Sequence, residues 1–417
     1  MATPRVLRSG WSVLRIRNFS LFFASRIFSS LASQMTDVGV GWLVYARTHS
    51  ALALGLVGLF TFAPRILFAL WTGHVADRFD RRAVLILCYA LTALSSLGLA
   101  WAALKPAGGA LPIFILVSLF GTARAFASPA SQAIVANLVP SASFADAVAI
   151  STAGQKTATI IGPALGGLAY AIGPALVFGS TTVLYAGATM ALFAMRTILR
   201  KQAQEAMSWS YLTAGIVYVR RNPILLGTIS LDLFAVLLGG ATALLPIYAD
   251  AILHTGPWGL GLLRSAPALG AFLMSMVLTR FSLRRRVGLR MFQAVIVFGL
   301  ATIVFGVAKS FWVAAPALFV LGAADMVSVY IRQTLMQIET PDAMRGRVSA
   351  VNSLFVGASN ELGEFESGLL ASLVGAVASV VIGGVGTLAI AGLWMRLFPG
   401  LRHRQRLIET HPPVAQG

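Results

Sequence analysis

Twelve long apolar stretches, one after another with only short polar breaks, constrain this chain more than any other feature. They run roughly 19–45, 51–75, 83–104, 111–139, 145–171 and 174–196, then 223–252, 257–279, 289–308, 311–338, 347–374 and 376–398. A helix crossing hydrocarbon needs about 20 apolar residues, so twelve spans with short loops nearly exhaust the 417 residues. Several stretches exceed that minimum, which leaves room for tilt or kinks. The chain reads as an all-α integral membrane protein. The first stretch contains Arg26 and Asp37 and lacks the short core and cleavage site of a signal peptide, so it is expected to stay as a span.

Composition closes off other classes. Charged residues are 11% of the chain, against about 25% in soluble domains, and 57% of residues are apolar. A soluble fold could not cover that much apolar surface. The lone Cys88 excludes an internal disulfide and a Cys-based zinc cluster. A net charge of +18 could suggest nucleic acid, but the arginines stand in short groups between apolar segments. That is the signature of membrane topology rather than of a phosphate-tracking groove. Alternate connections carry 23 Lys and Arg on one side and three (Arg47, Lys105 and Lys309) on the other. The bias places both termini in the cytoplasm.

One long polar break, about 197–222, divides the chain. It holds Arg200, Lys201, Gln202, Gln204 and Glu205, then an amphipathic stretch Trp209–Arg221 that reads as a membrane-surface helix. The expected organisation is a six-span bundle over 1–196, a cytoplasmic connector over 197–222, a second six-span bundle over 223–398, and a polar cytoplasmic tail over 399–417. A faint echo links the halves: Asp77-Arg78-Phe79-Asp80-Arg81-Arg82 follows span two, and Thr279-Arg280-Phe281-Ser282-Leu283-Arg284-Arg285-Arg286 follows span eight. Duplicated halves mark secondary transporters.

Three motifs carry a resemblance. Gly73-His74-Val75-Ala76-Asp77-Arg78-Phe79-Asp80-Arg81-Arg82 resembles the signature loop between spans two and three of the major facilitator superfamily. Gly73 permits close helix approach, Asp77 suits a helix N-terminus, and Arg78, Arg81 and Arg82 suit acids or anionic lipid. Asp80 departs from the pattern, which has Gly there. Gly162-Pro163-Ala164-Leu165-Gly166-Gly167 in span five resembles the core of the motif of proton-coupled exporters. Pro bends the helix there and the glycines let a neighbour pack closely. The two upstream glycines of the fuller motif are Ala158 and Ala149 here. Pro341-Asp342-Ala343-Met344-Arg345-Gly346-Arg347-Val348, entering span eleven, looks like the loop found in the branch of enterobactin exporters and macrolide-efflux proteins.

The resemblance implies the 12-transmembrane-helix major facilitator fold, two six-helix bundles around a midplane site that alternates its access. It implies a secondary active transporter, expected here to be a proton-coupled exporter of a small organic molecule, a siderophore-like metabolite or a drug, in a bacterial inner membrane. An importer of the same fold is the alternative. A membrane-embedded enzyme is a more distant one, because no catalytic His, Cys or metal cluster is visible. No cofactor is expected, since no Gly-rich loop with Lys-Ser/Thr suggests ATP use and no His/Asp/Glu spacing suggests a metal site. The expected partners are the substrate, protons and lipid, not nucleic acid, and a monomer holds a complete pathway.

Ionisable residues inside spans are costly and so are functional candidates. Counting about 1.5 Å per residue puts Arg124, Lys156, Asp325 and Glu361 near mid-membrane, Asp37 in the outer half of span one, and Asp232 and Glu364 somewhat off centre. Glu361 and Glu364 share a helix face and Glu366 points elsewhere. Arg124, Lys156, Asp232 and Asp325 are the substrate-cavity candidates. Asp37 leads the proton-coupling candidates, because first-span acids serve that role in several drug exporters of the superfamily, with Glu361 and Glu364 behind it. Arg26, Arg65, Arg264 and Arg332 read as partners of neighbouring acids or as snorkelling side chains.

Overall fold

A computed structural model describes residues 10–105, 109–196, 209–281, 283 and 285–405. Arg200, Lys201, Gln202, Gln204 and Glu205 of the connector, Ser282 and Arg284 of the second basic loop, and the tail beyond 405 lie outside the described residues. The helices are α1 Arg17–Thr48, α2 Ala51–Leu67, α3 Ala69–Arg78, α4 Arg81–Ala103, α5 Leu111–Leu138, α6 Phe144–Ile172, α7 Pro174–Phe193 and α8 Trp209–Arg221. They continue as α9 Pro223–Leu238, α10 Leu245–Ile247, α11 Gly256–Arg280, α12 Val287–Val307, α13 Phe311–Glu339, α14 Asp342–Val374, α15 Ala376–Leu397 and α16 Pro399–Arg402. Each of the twelve apolar stretches is helical over most of its length, and no strand occurs among the described residues.

Eight of these helical stretches are long and apolar enough to cross a membrane by length and composition. The other four apolar stretches fall short for readable reasons. The second is split at Phe68 into α2 and α3, four residues after Pro64, whose missing N–H and ring weaken the turn before it. The other three are α1, α6 and α14, which carry Asp37, Lys156, Glu361 and Glu364. Asp37, Lys156, Glu361 and Glu364 thus sit on helices whose apolar run is interrupted, whereas Arg124, Asp232 and Asp325 sit on helices that stay apolar enough to cross.

Local chemistry sets the helix ends. Asn222 caps α9 by accepting from the N–H groups of Ile224 (3.0 Å) and Leu225 (3.3 Å), and Pro223 fills the first helical position. The seventh span, expected as one helix over 223–252, is instead interrupted. α9 stops at Leu238, Gly239 and Gly240 break the ladder, and the chain resumes through a 3₁₀ turn, α10 and a π turn over Tyr248–Ile252. Tyr248, fully buried, holds this irregular stretch by donating to the Gly306 carbonyl at 2.7 Å and packing on Phe305. Such backbone is tolerated at membrane depth only where protein surrounds it.

The chain divides into two compact units. Unit 1 comprises Met1–His49, Phe60–Met207 and Gly256–Ser265; unit 2 comprises Ser50–Leu59, Ser208–Thr255 and Ala266–Gly417. Within unit 1, α1 packs on α6 and α7, and α4 packs on α5 and α7. Its core gathers Phe19, Phe22, Leu85, Tyr89, Ile134 and Leu192. Within unit 2, α9 packs on α14 and α15, and α12 packs on α13 and α15. Its core gathers Leu231, Phe292, Ile331, Leu335 and Trp394. Counted from the start of each half, these are the same four pairings. The internal echo, faint in the sequence, is plain in the packing.

α8, expected as a membrane-surface helix, also has protein against its apolar face. It packs on α9 and α14, Val219 is buried with Leu225, Ile229, Met336, Val348 and Val351, and the Tyr218 hydroxyl donates to the Glu339 carbonyl at 3.0 Å. The amphipathic pattern alone cannot distinguish the two partners, because both ask for one apolar face.

Candidate functional site

The polar face of α1 is written at helical spacing. Arg26, Ser30, Ser33 and Asp37 recur every three or four residues and so line one side of the helix. Asp37 meets Arg124 of α5: Nη2 of the arginine donates to Oδ2 at 2.9 Å, with side chains 31% (Asp37) and 36% (Arg124) exposed. The same nitrogen reaches the Ser33 hydroxyl, and the guanidinium lies over the Phe120 ring at 5.0 Å. Phe120 in turn meets Tyr185 edge-on. Serine, aromatic ring and carboxylate thus fix the arginine in one place while leaving the ion pair half open. Sequence reading found both charges but neither Ser33 nor Phe120. The spacing of Ser33 from Asp37 was the available signal for the first.

Nearer the start of α1, Arg26 donates from Nη1 to the Ser151 hydroxyl (3.0 Å) and from Nη2 to the Gln155 side-chain oxygen (2.8 Å) of α6. Lys156, the next residue, is exposed on the same helix.

In unit 2 the candidates separate. Asp232 of α9 is ion-paired with Arg332 of α13, and their side chains are 8% and 4% exposed. Asp232 was expected at a substrate cavity; the structure instead seals its carboxylate between two helices. Position along a helix does not say which neighbour lies alongside. Asp325 of α13 and Glu361 and Glu364 of α14 are half-buried. The Glu364 side chain packs on Gly58 of α2, where a Cβ would lie 3.1 Å from its Oε2.

The loop after α3 does structural work. Asp80, the departure from the family pattern, caps α4 by accepting from the Arg82 N–H at 3.0 Å. Arg81 donates to the Ala133 carbonyl near the end of α5 (3.0 Å). Arg82 donates to the carbonyls of Leu192 (2.7 Å) and Phe193 (2.8 Å) at the end of α7. Cations at helix C-termini oppose the negative end of the dipole and satisfy orphan carbonyls. Arg78 is exposed, and the Asp77 side chain lies outside the described residues.

In span five, Gly162, Pro163, Gly166 and Gly167 are all buried and α6 runs on through Pro163. A Cβ at Gly166 would stand 2.8 Å from the Met35 Cα, and one at Gly167 would stand 2.9 Å from the Gly261 Cα. Both are too close for any side chain, so the glycines set how near α1 and the first part of α11 can come. Unit 2 repeats the device: a Cβ at Gly368 of α14 would lie 2.6 Å from the Cα of Gly55 in α2.

Comparison with known proteins agrees with this architecture. A family model described as "Transmembrane secretion effector" matches residues 8–408. The enterobactin exporter EntS of Citrobacter koseri is 26% identical over 402 residues, covering 96% of this chain and 95% of that protein. EntS of Escherichia coli K12 is 25% identical over 397 residues, covering 95% and 94%. Among solved structures, a bacterial homologue of the human lysosomal transporter Spinster aligns with a TM-score of 0.72 at 15% identity, over 93% of this chain and 98% of that one. A POT family transporter aligns with a TM-score of 0.71 at 13% identity, over 92% and 96%. The structural likenesses establish the fold, a helical transporter fold with multiple membrane passes.

Proposed function

Because the chain belongs to the transmembrane secretion effector family of the major facilitator superfamily, we propose that it is a proton-coupled exporter of a small organic molecule, working by alternating access. The observation that carries the reading is the half-open Asp37–Arg124 ion pair. One arginine has two possible partners there. While Asp37 is ionised, it holds Arg124. A proton on Asp37 dissolves the pair and frees the guanidinium for a polar or anionic group of the substrate. Substrate on Arg124 in turn leaves Asp37 open to a proton. Such mutual influence of two ligands through one group is a coupling free energy. Lys156 on α6 and Asp325, Glu361 and Glu364 in unit 2 remain proposed contacts of substrate or protons.

The enterobactin exporters, similar along nearly the whole chain, support export and a siderophore-like cargo, with drugs as the broader class. The Lys and Arg asymmetry supports both termini in the cytoplasm, and the similarity to bacterial exporters supports a bacterial inner membrane. The loop from Gly73 to Arg82 is proposed to steady one state of the cycle from the cytoplasmic face, and the monomer to be the working form. The test compares metabolites of cells and medium, with and without the gene, under iron limitation. An iron chelator that accumulates inside and vanishes from the medium is the expected result. Unchanged chelators together with unchanged drug susceptibility overturn the exporter reading.

A further inference from the structure

We propose that Arg26, with Ser151 and Gln155, forms a binding subsite in unit 1 for a planar oxyanion, of carboxylate type, on the transported molecule. The inference rests on the transporter reading above and adds the chemistry of the cargo.

Arg26 lies about 14 Å along α1 from its start, inside the first apolar stretch. A charge at that depth needs a partner or water. Its two terminal nitrogens are both tied to α6, through Ser151 and Gln155 one turn apart. Ser151 is 1% exposed, so one anchor is fixed in the packed interior. Both anchors are neutral. Among the described residues no carboxylate pairs with Arg26, whereas Arg124 and Arg332 each have an aspartate. The two bonds use two of the five N–H donors of a guanidinium. Arg26 is only half-buried, so the remaining donors are reachable.

Two bland explanations do not fit. A snorkelling arginine needs a side chain free to swing toward the interface, and this one is held at both ends of its fork. A structural arginine in a membrane ordinarily pairs with an acid or with backbone carbonyls, and among the described residues Arg26 has neither, only two neutral side chains. Among the described residues, Arg65 and Arg264 also lack a carboxylate, but no side-chain hydrogen bond among those residues orients either of them. The surroundings suit a water-facing wall. Thr152, Gln155, Lys156 and Thr159 form an exposed or half-buried polar stripe on α6, while Ala149, Ala153, Ile161, Leu165 and Leu168 form an apolar one. Lys156 adds a second cation to the polar stripe. An oriented guanidinium with unspent donors matches the two oxygens of a carboxylate in a way an ammonium cannot.

The test uses the purified full-length protein in lipid nanodiscs, titrated by calorimetry with benzoate and with benzamide. The two have the same shape and differ in charge. Benzoate is expected to bind at least tenfold more tightly than benzamide. Arg26→Gln should abolish that preference. Arg26→Lys, which keeps the charge and loses the fork, should retain part of it. Gln155→Ala, which leaves Arg26 in place but held by Ser151 alone, should weaken benzoate binding several-fold and guards against misfolding of the first variant. Benzoate binding that is absent from the unmodified protein, no better than that of benzamide, or unchanged in Arg26→Gln overturns the proposal. Binding is read without any gradient, so a failure of proton-coupled export in cells leaves this result standing, and the reverse also holds.

Discussion

Two ion pairs on corresponding helices have opposite characters. Asp37–Arg124 joins α1 to α5 in unit 1; Asp232–Arg332 joins α9 to α13 in unit 2. In order along their halves these are the same two helices. The first pair leaves about a third of each side chain exposed, while the second is all but sealed. An exposed pair is worth little to stability and breaks cheaply, about 0–1 kcal/mol. A sealed pair costs several kcal/mol per ion to desolvate, and cannot be parted without leaving a bare charge inside. Arg332 has not even satisfied its Nε, which lacks a hydrogen-bond partner among the described residues. The open pair is therefore the one fit to change during a cycle, and the sealed pair the one fit to hold α9 against α13.

The contrast is most exposed at Arg332→Ala. Stranding Asp232 should cost about 3–5 kcal/mol, seen as a large fall in thermal midpoint and yield, with Asp232→Asn added to Arg332→Gln recovering most of it. A stable Arg332→Ala protein breaks the comparison. Asp37→Asn should do the reverse. Proton-driven efflux from proteoliposomes should fall at least tenfold, equivalent to about 1.4 kcal/mol, while gradient-free counterflow persists and the thermal midpoint barely moves. Flux that still follows the pH gradient removes Asp37 from the coupling. Arg124→Lys keeps the charge but not the fork that spans Ser33 and Asp37. A drop of roughly threefold in flux is expected, and an unchanged rate would show that charge alone suffices. The smallest effect calibrates the stability scale away from both pairs. Asp80→Ala should cost about 1 kcal/mol and Asp80→Gly only a few tenths, read as shifts in thermal midpoint.

Much of this was legible in advance, and the gaps have a common cause. Apolar runs gave the helices because a membrane asks for length and hydropathy, which are local properties. The breaks at Phe68 and Gly239–Gly240 were missed because each sits in an otherwise unbroken apolar run. Asp37 and Arg124 stood out singly because a charge in a span is conspicuous. Their meeting did not, since α1 and α5 are far apart in sequence. Asp232 was expected at a substrate cavity and lies sealed against Arg332, because rise per residue fixes height along a helix and says nothing of what lies beside it. Ser151 and Gln155 went unnoticed for a different reason. Neutral polar residues raise no flag until a structure shows an arginine resting on them.

The composition of the two units has a consequence for how the chain is made. Residues 50–59 belong with unit 2 and residues 256–265 with unit 1. The first half leaves the ribosome well before α14 exists, so Gly55 and Gly58 wait in the bilayer without the surface they are shaped for. A nascent chain halted at the connector is unfinished in both units. Severing the gene there would yield two polypeptides, each carrying a strut that belongs to the other, and only their reunion could complete either.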